Sequence, residues 1–380
     1  MLNLNIDILS EIYTTTLTFF FFLIAFLMFY IVYKGYKKNR YGSNSTFVCG
    51  LLFILFGYYN SIKGITHYPF NGFMVWWIGI MLIIFLSFSL IVKKIIKKID
   101  LDNLTTANKD NSLIRRYIIA MKKENPYREQ ISLKMEGIRK IFHLAGLLFI
   151  LAVFGFFFMP PLASMVNEGI VILIRNTEPV YNFLWGDLST YPYYIGDPQA
   201  IIYITMFAFV AILVFTIISE LIRVLWGPEY SMLNLLTKSV LRNEEHNAVG
   251  PQIYLVVGAI FSYILYLEGV VHILTLTAGI LIACFSDAAA ALIGRGLGKH
   301  KVNCLRGQQK SIEGFIAGVG SAYLIGLVTV GPIYALVGAI IFFLLDFFPT
   351  YIADNILNPI LITIGITLFY HIIGLPIGLF

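Results

Sequence analysis

Long runs of apolar residues alternate along the chain with short polar breaks rich in lysine. Ten runs are readable, at approximately 14–33, 46–62, 72–92, 141–164, 201–222, 250–267, 270–293, 313–330, 332–348 and 356–378. Most approach the roughly 20 residues that a helix needs to cross bilayer hydrocarbon. Inside lipid every backbone amide must be satisfied within the protein, so these runs are expected to be helices. The residue-by-residue alternation of a membrane barrel is missing. The pattern therefore predicts an all-α, polytopic transmembrane bundle of about ten spans.

Composition agrees with the pattern. Apolar residues make up 58% of the 380 positions and charged residues 13%, with a mean hydropathy of +0.81. A soluble domain carries about one quarter charged residues, so this chain lacks the polar groups to clothe a water-exposed globule. Met1–Ser10 lack the basic start of a cleavable signal peptide, and the first run reads as a permanent anchor. Cys49, Cys284 and Cys304 have neither metal-ligand spacing nor an even disulfide framework.

The net charge of +6 reads as topology rather than as a nucleic-acid surface. With ten spans, all but two of the 27 lysines and arginines fall on one side, the exceptions being Lys63 and Arg175. Cytoplasmic loops are enriched in these residues, so that side is expected to face the cytoplasm and both termini to lie outside. Residues 1–93 read as an N-terminal three-helix unit and 94–138 as a basic cytoplasmic linker with an amphipathic surface helix near Ser112–Lys123. Residues 139–380 read as a membrane domain of about seven helices. It carries an outside insertion at 165–200 with Trp185, Tyr191, Tyr193 and Tyr194, aromatics suited to the membrane interface.

Ionisable groups at or within spans are expensive in lipid and are functional candidates. Six clusters stand at expected cytoplasmic ends. Arg139, Lys140 and His143 open the fourth span, with Arg139 and His143 on one helical face. Glu220 and Arg223, three apart, are placed to pair at the end of the fifth. Arg242, Glu244 and Glu245 follow in the next loop. Asp287 lies in a run of small residues leading to Gly294-Arg295, Gly298-Lys299 and Lys301. On a regular helix Gly294 and Gly298 each fall within about 20° of Asp287, a stripe where a ligand or a neighbouring helix can approach. Lys310, Ser311, Glu313 and Gly314 open the eighth span, where helix N–H groups favour anions. Glu313 there suggests a bound cation or a pairing with Lys310. Asp346 and Asp354-Asn355 surround the last inter-helix turn, with Asn355 placed to cap a helix. The glycines match neither a Walker A loop nor G-x-G-x-x-G. Many cations with several carboxylates at one depth suit a polyphosphate carried with magnesium, and a lipid alcohol would reach that depth from the bilayer.

At these residues the chain resembles the CTP-dependent lipid-alcohol kinases: dolichol kinase, phytol kinase and the CTP-dependent diacylglycerol kinase. These are relatives of the phosphatidate cytidylyltransferases. The resemblance covers about 138–365. It runs through Arg139-Lys140-x-x-His143, the Arg242/Glu244-Glu245/Gly250 loop, Asp287 to Lys299, Lys310-Ser311-x-Glu313-Gly314 and Asp354-Asn355-x-x-x-Pro359. Ser286 stands where the family often has glycine, and Ala353 where it often has a second acid. The Asp-Arg-x-Asp signature of the cytidylyltransferases does not occur.

The resemblance implies transfer of the γ-phosphate of CTP, with Mg2+ or another divalent cation, to the hydroxyl of a polyprenol- or dolichol-type alcohol. Asp287, His143 and Glu313 would act in catalysis. Arg139, Lys140, Gly294, Arg295, Gly298, Lys299, Lys301, Lys310 and Ser311 would bind the nucleotide phosphates. Asp287, Glu313 and Asp354 would hold the metal, with Glu220, Arg223, Arg242, Glu244, Glu245 and Asn355 in support. The expected partners are the membrane alcohol and the nucleoside triphosphate, with no nucleic acid; the oligomeric state is open, a homodimer among the options.

Overall fold

The structure is a computed structural model and describes residues 6–67, 70–98, 113–122, 133–141, 168, 198–234, 241, 247–304, 309–348 and 350–378. Most of this length is helix. The helices are α1 (Ile6–Gly35), α2 (Arg40–Ile62), α3 (Phe70–Lys98), α4 (Leu113–Lys122), α5 (Leu133–Ile141), α6 (Pro198–Leu225), α7 (Pro251–Leu267), α8 (Ile273–Leu281), α9 (Asp287–Gly296), α10 (Ile312–Val330), α11 (Pro332–Phe347) and α12 (Asp354–Ile373). A π-helical turn, Ile282–Ser286, joins α8 to α9, so the two form one bent rod. Among the described residues seven segments are long and apolar enough to cross a membrane, the α8–α9 rod counting as one, and α7 and α11 are shorter apolar helices. They coincide with nine of the ten expected spans; the remaining one, 141–164, lies outside the described residues. Large side chains such as Phe19, Phe26, Ile83, Ile316 and Val328 stay exposed on these helices. Helices apolar on their outward faces as well as inward belong in lipid, and the chain is a helical membrane protein.

The all-helical expectation needs one amendment. The basic stretch after α9 folds back as a two-stranded antiparallel hairpin, β1 (Lys301–Asn303) and β2 (Gln309–Ser311), with Lys301 opposite Ser311. So short a ladder lies below the reach of hydrophobic periodicity.

Polar contacts set which helix ends meet. Asn60, late in α2, donates to Thr14 O and Thr18 Oγ1 early in α1, both at 2.9 Å. Asn71, at the start of α3, donates to Ser10 O at 3.1 Å. Tyr263, late in α7, donates to Ile202 O near the start of α6 at 3.1 Å. Lys63 after α2 pairs with Glu268 after α7. These contacts define one end of the bundle. At the opposite end Arg223, late in α6, donates to Ala248 O before α7 at 2.6 Å, and the backbone N–H of Ala353, before α12, donates to Ser45 Oγ on α2 at 2.9 Å.

The larger apolar core runs without a break through α1–α3, α6, α7 and the inner face of α8, with Leu17, Phe53, Phe85, Ile217 and Tyr263 among its members. A second core joins α8, α10, α11 and α12 through Ile282, Ala322, Tyr334 and Ile366. α12 crosses between them. Its Pro359 removes a helix hydrogen bond, and Gly258 of α7 leaves room there, since a Cβ would lie 2.7 Å from the proline Cγ. Ser262 donates to Pro359 O at 3.1 Å.

Candidate functional site

The α8–α9 rod positions the central carboxylate. The π turn ends at Ser286, and Asp287 is the first residue after it. One extra residue in a helical turn shifts the phase of everything beyond it, and such bulges recur at functional sites. Asp287 lies nine residues before the end of α9 at Gly296, about 14 Å along the axis at 1.5 Å per residue. The carboxylate is therefore sunk well into the bundle.

It opens on a cavity of about 380 Å³ at the Arg223–Ser45 end. The walls come from six places: Tyr41 of α2; Glu136 and Lys140 of α5; Asp287, Ala290, Ala291, Gly294 and Arg295 of α9; Gln309, Lys310, Ser311, Gly314 and Phe315 across β2 and α10; Leu345 and Asp346 of α11; and Thr350, Ile352, Asp354 and Leu357 around the start of α12. Three cation–carboxylate pairs line it. Lys140 pairs with Asp287, and both side chains are largely buried. Lys310 Nζ lies 2.5 Å from Asp346 Oδ1 and also donates to the Asp346 carbonyl at 2.7 Å. An Arg295 guanidinium nitrogen lies 3.2 Å from Glu136 Oε2. Each cation in the wall already has a carboxylate, so an entering anion exchanges partners rather than meeting naked charge.

The small residues of α9 serve helix packing. A Cβ on Gly314 of α10 would lie 2.8 Å from Ala290 O and 3.0 Å from Gly294 Cα. A Cβ on Gly298 would meet Gly294 O at 2.1 Å. The neighbouring helix α10 packs on this stripe, and Asp287 and Gly294 of the same stripe also line the cavity. Ser311 is the N-cap of α10, accepting from Gly314 N at 3.0 Å, and also donates to Gly294 O at 3.3 Å. Its hydroxyl thus takes one of the free N–H groups at the helix start, and Ser311 lines the cavity.

Other expected site residues are placed elsewhere. Glu313 does not reach the cavity and does not pair with Lys310; its carboxylate accepts from the His300 backbone and sits 2.7 Å from His300 Nδ1. Lys299 and Lys301 are exposed on the hairpin approach and do not line the cavity. Asn355 is not a cap: Ala353 precedes α12 without a side-chain cap, and Asp354 Oδ1 accepts from Asn355 N at 2.8 Å. Glu220 and Arg223 form the expected pair at 2.6 Å, buried away from the cavity. His143, Arg242, Glu244 and Glu245 lie outside the described residues, as does the side chain of Arg139.

Two wall residues escaped the sequence reading of the site, Glu136 and Tyr41, and a third, Asp346, was singled out there without a role. Glu136 falls in the stretch 94–138 that reads as a basic linker, and nothing local ties it to Arg295. Asp346 stood out as an acid at the end of an apolar run, but nothing local tied it to Lys310. Tyr41 belongs to a helix that the resemblance leaves out.

Among the described residues no group of three or more His, Cys, Asp or Glu side chains gathers as a metal site. Mg2+ does not require one, since it commonly takes one or two carboxylates and completes its shell with water and substrate phosphates. Asp287, Asp346 and Asp354, which line the cavity from α9, α11 and the start of α12, offer the one or two carboxylates of that smaller demand. Comparison of the chain with family models, curated proteins and solved structures gives no match.

Proposed function

We propose that the protein is a CTP-dependent kinase that phosphorylates the hydroxyl of a membrane isoprenoid alcohol of polyprenol or dolichol type. The observation that carries this reading is the cavity itself: three cations and four carboxylates converge where the family-like motifs meet, walled by Phe315, Leu345 and Leu357 as well as by charge. Lys140, Arg295 and Lys310 supply positive charge for a polyphosphate. Phosphoryl transfer asks the protein mainly for positioning and charge stabilisation. Asp287 and Asp354 would hold Mg2+, which would neutralise phosphate charge. Asp287 is also placed to accept the alcohol's proton once Lys140 turns to phosphate. Cytosine as the donor base follows from the resemblance alone.

The same reading places the cavity on the cytoplasmic face, with ten crossings and both termini outside. In support, α5 finishes at the cavity end while α6 starts at the opposite end, beside Tyr263 and α3.

Purified protein incubated with γ-labelled CTP, ATP, GTP or UTP and a panel of polyprenol, dolichol, phytol, geranylgeraniol and diacylglycerol tests the proposal. Label from CTP should move to a polyprenol or dolichol. Release of pyrophosphate with a CDP-lipid product, or no transfer from any donor, would overturn it.

A further inference from the structure

We infer that the N-terminal helices supply a binding residue to the nucleotide site, and that Tyr41 is the surface on which the donor's base stacks. The inference rests on the kinase reading. In the cavity the cations of Lys140, Arg295 and Lys310 claim the phosphates, so the planar base needs a wall of another kind. Two aromatic side chains line the cavity, Tyr41 and Phe315. Phe315 is 9% exposed, and its ring packs on Phe343 and Phe347 at centroid distances of 6.0 and 5.2 Å. Lys310 Nζ stands over the same ring, 5.8 Å from its centroid, so Phe315 is already engaged by its neighbours. Tyr41 is half-buried, at the side of the cavity shared with Thr350, Ile352 and Asp354.

The helix that bears Tyr41 is held in register with the rest of the site. Asn39 caps α2, its Oδ1 accepting from Gly42 N at 2.9 Å. Ser45, one turn beyond Tyr41, accepts from Ala353 N at 2.9 Å, the residue before Asp354. Thr46 accepts from Val249 N at 3.3 Å and meets Tyr254 Oη at the same distance. These contacts tie the first turns of α2 to the segments before α7 and α12, so Tyr41 is fixed relative to Asp354. Anchoring of this kind pre-organises a binding wall. Base–aromatic stacking tolerates any base and needs the ring rather than the hydroxyl, so Tyr41 tightens nucleotide binding without choosing the alcohol.

The test uses the full-length protein with Tyr41→Ala, Tyr41→Leu, Tyr41→Phe and Tyr41→Trp. CDP affinity is measured by titration without lipid, and KM for CTP and for the alcohol with it. Tyr41→Ala and the bulk-preserving Tyr41→Leu should each weaken CDP binding and raise the CTP KM by about ten-fold. The two aromatic replacements should stay within about three-fold, with the alcohol KM unchanged throughout. Normal CDP affinity in Tyr41→Leu, a loss in Tyr41→Phe equal to that in Tyr41→Ala, or an effect confined to the alcohol KM would overturn the inference while leaving the kinase reading intact. Wild-type protein that neither binds CDP nor transfers phosphate would overturn both.

Discussion

Lys140 and Asp287 each stabilise the other's charge in a site that excludes most water, with the two side chains only 6% and 15% exposed. Removing one partner of such a pair strands the other and costs about 3–5 kcal/mol. Lys140→Met should therefore lower the denaturation midpoint sharply. Asp287→Asn should abolish phosphoryl transfer and also destabilise, since Lys140 loses the carboxylate that compensates its burial. The double variant Lys140→Met/Asp287→Asn separates the two roles: stability should recover towards wild type while activity stays lost. Recovery of activity in the double variant would show that Asp287 serves only to neutralise Lys140. The sequence pointed to both residues, because an acid and a base at the edges of apolar runs are costly in lipid. That they pair with each other, 147 positions apart, is decided by the packing of α5 on α9.

At the scale of elements, the α9–α10 contact holds Lys310 and Ser311 against Asp287's helix. It is a backbone-to-backbone approach made through Gly294 and Gly314, and a side chain there meets atoms that cannot rotate away. Gly314→Val should cost about 1–3 kcal/mol or more, as overpacking does, and reduce activity with it. Gly320→Val is the internal control. It lies on the same helix with nothing within 4 Å of its Cβ position, and it should unfold like wild type in detergent. Equal destabilisation by both variants would mean that the close α9–α10 approach is not responsible. The span itself was legible from its apolar run, as was the preference of its small residues for a close neighbour. Sequence periodicity could not choose between a ligand and a helix as that neighbour, because both leave the same stripe of missing side chains.

For the whole molecule, the ten-crossing proposal predicts that cysteines placed at Lys299 and at Lys63 react from opposite sides of sealed vesicles. Tags at both termini should report from the side of Lys63. Native Cys49, Cys284 and Cys304 are buried and free, and burial pushes the Cys304 thiol above its ordinary range. All three should resist maleimide until the protein is denatured, leaving a silent background for the mapping. A tag reporting from the Lys299 side would break the count. The sequence alone determined the class of the molecule, the positions of its apolar helices and the gathering of charge at alternate helix ends. Those properties follow from local hydrophobicity and lipid solvation, which each segment expresses by itself. Only the tertiary structure decided which charges meet. It turned Glu313 to His300 instead of to the cavity, set Asp346 against Lys310 and Glu136 against Arg295, and brought Tyr41 to the wall. Each of these depends on how helices distant in the chain cross, and no local pattern carries that information.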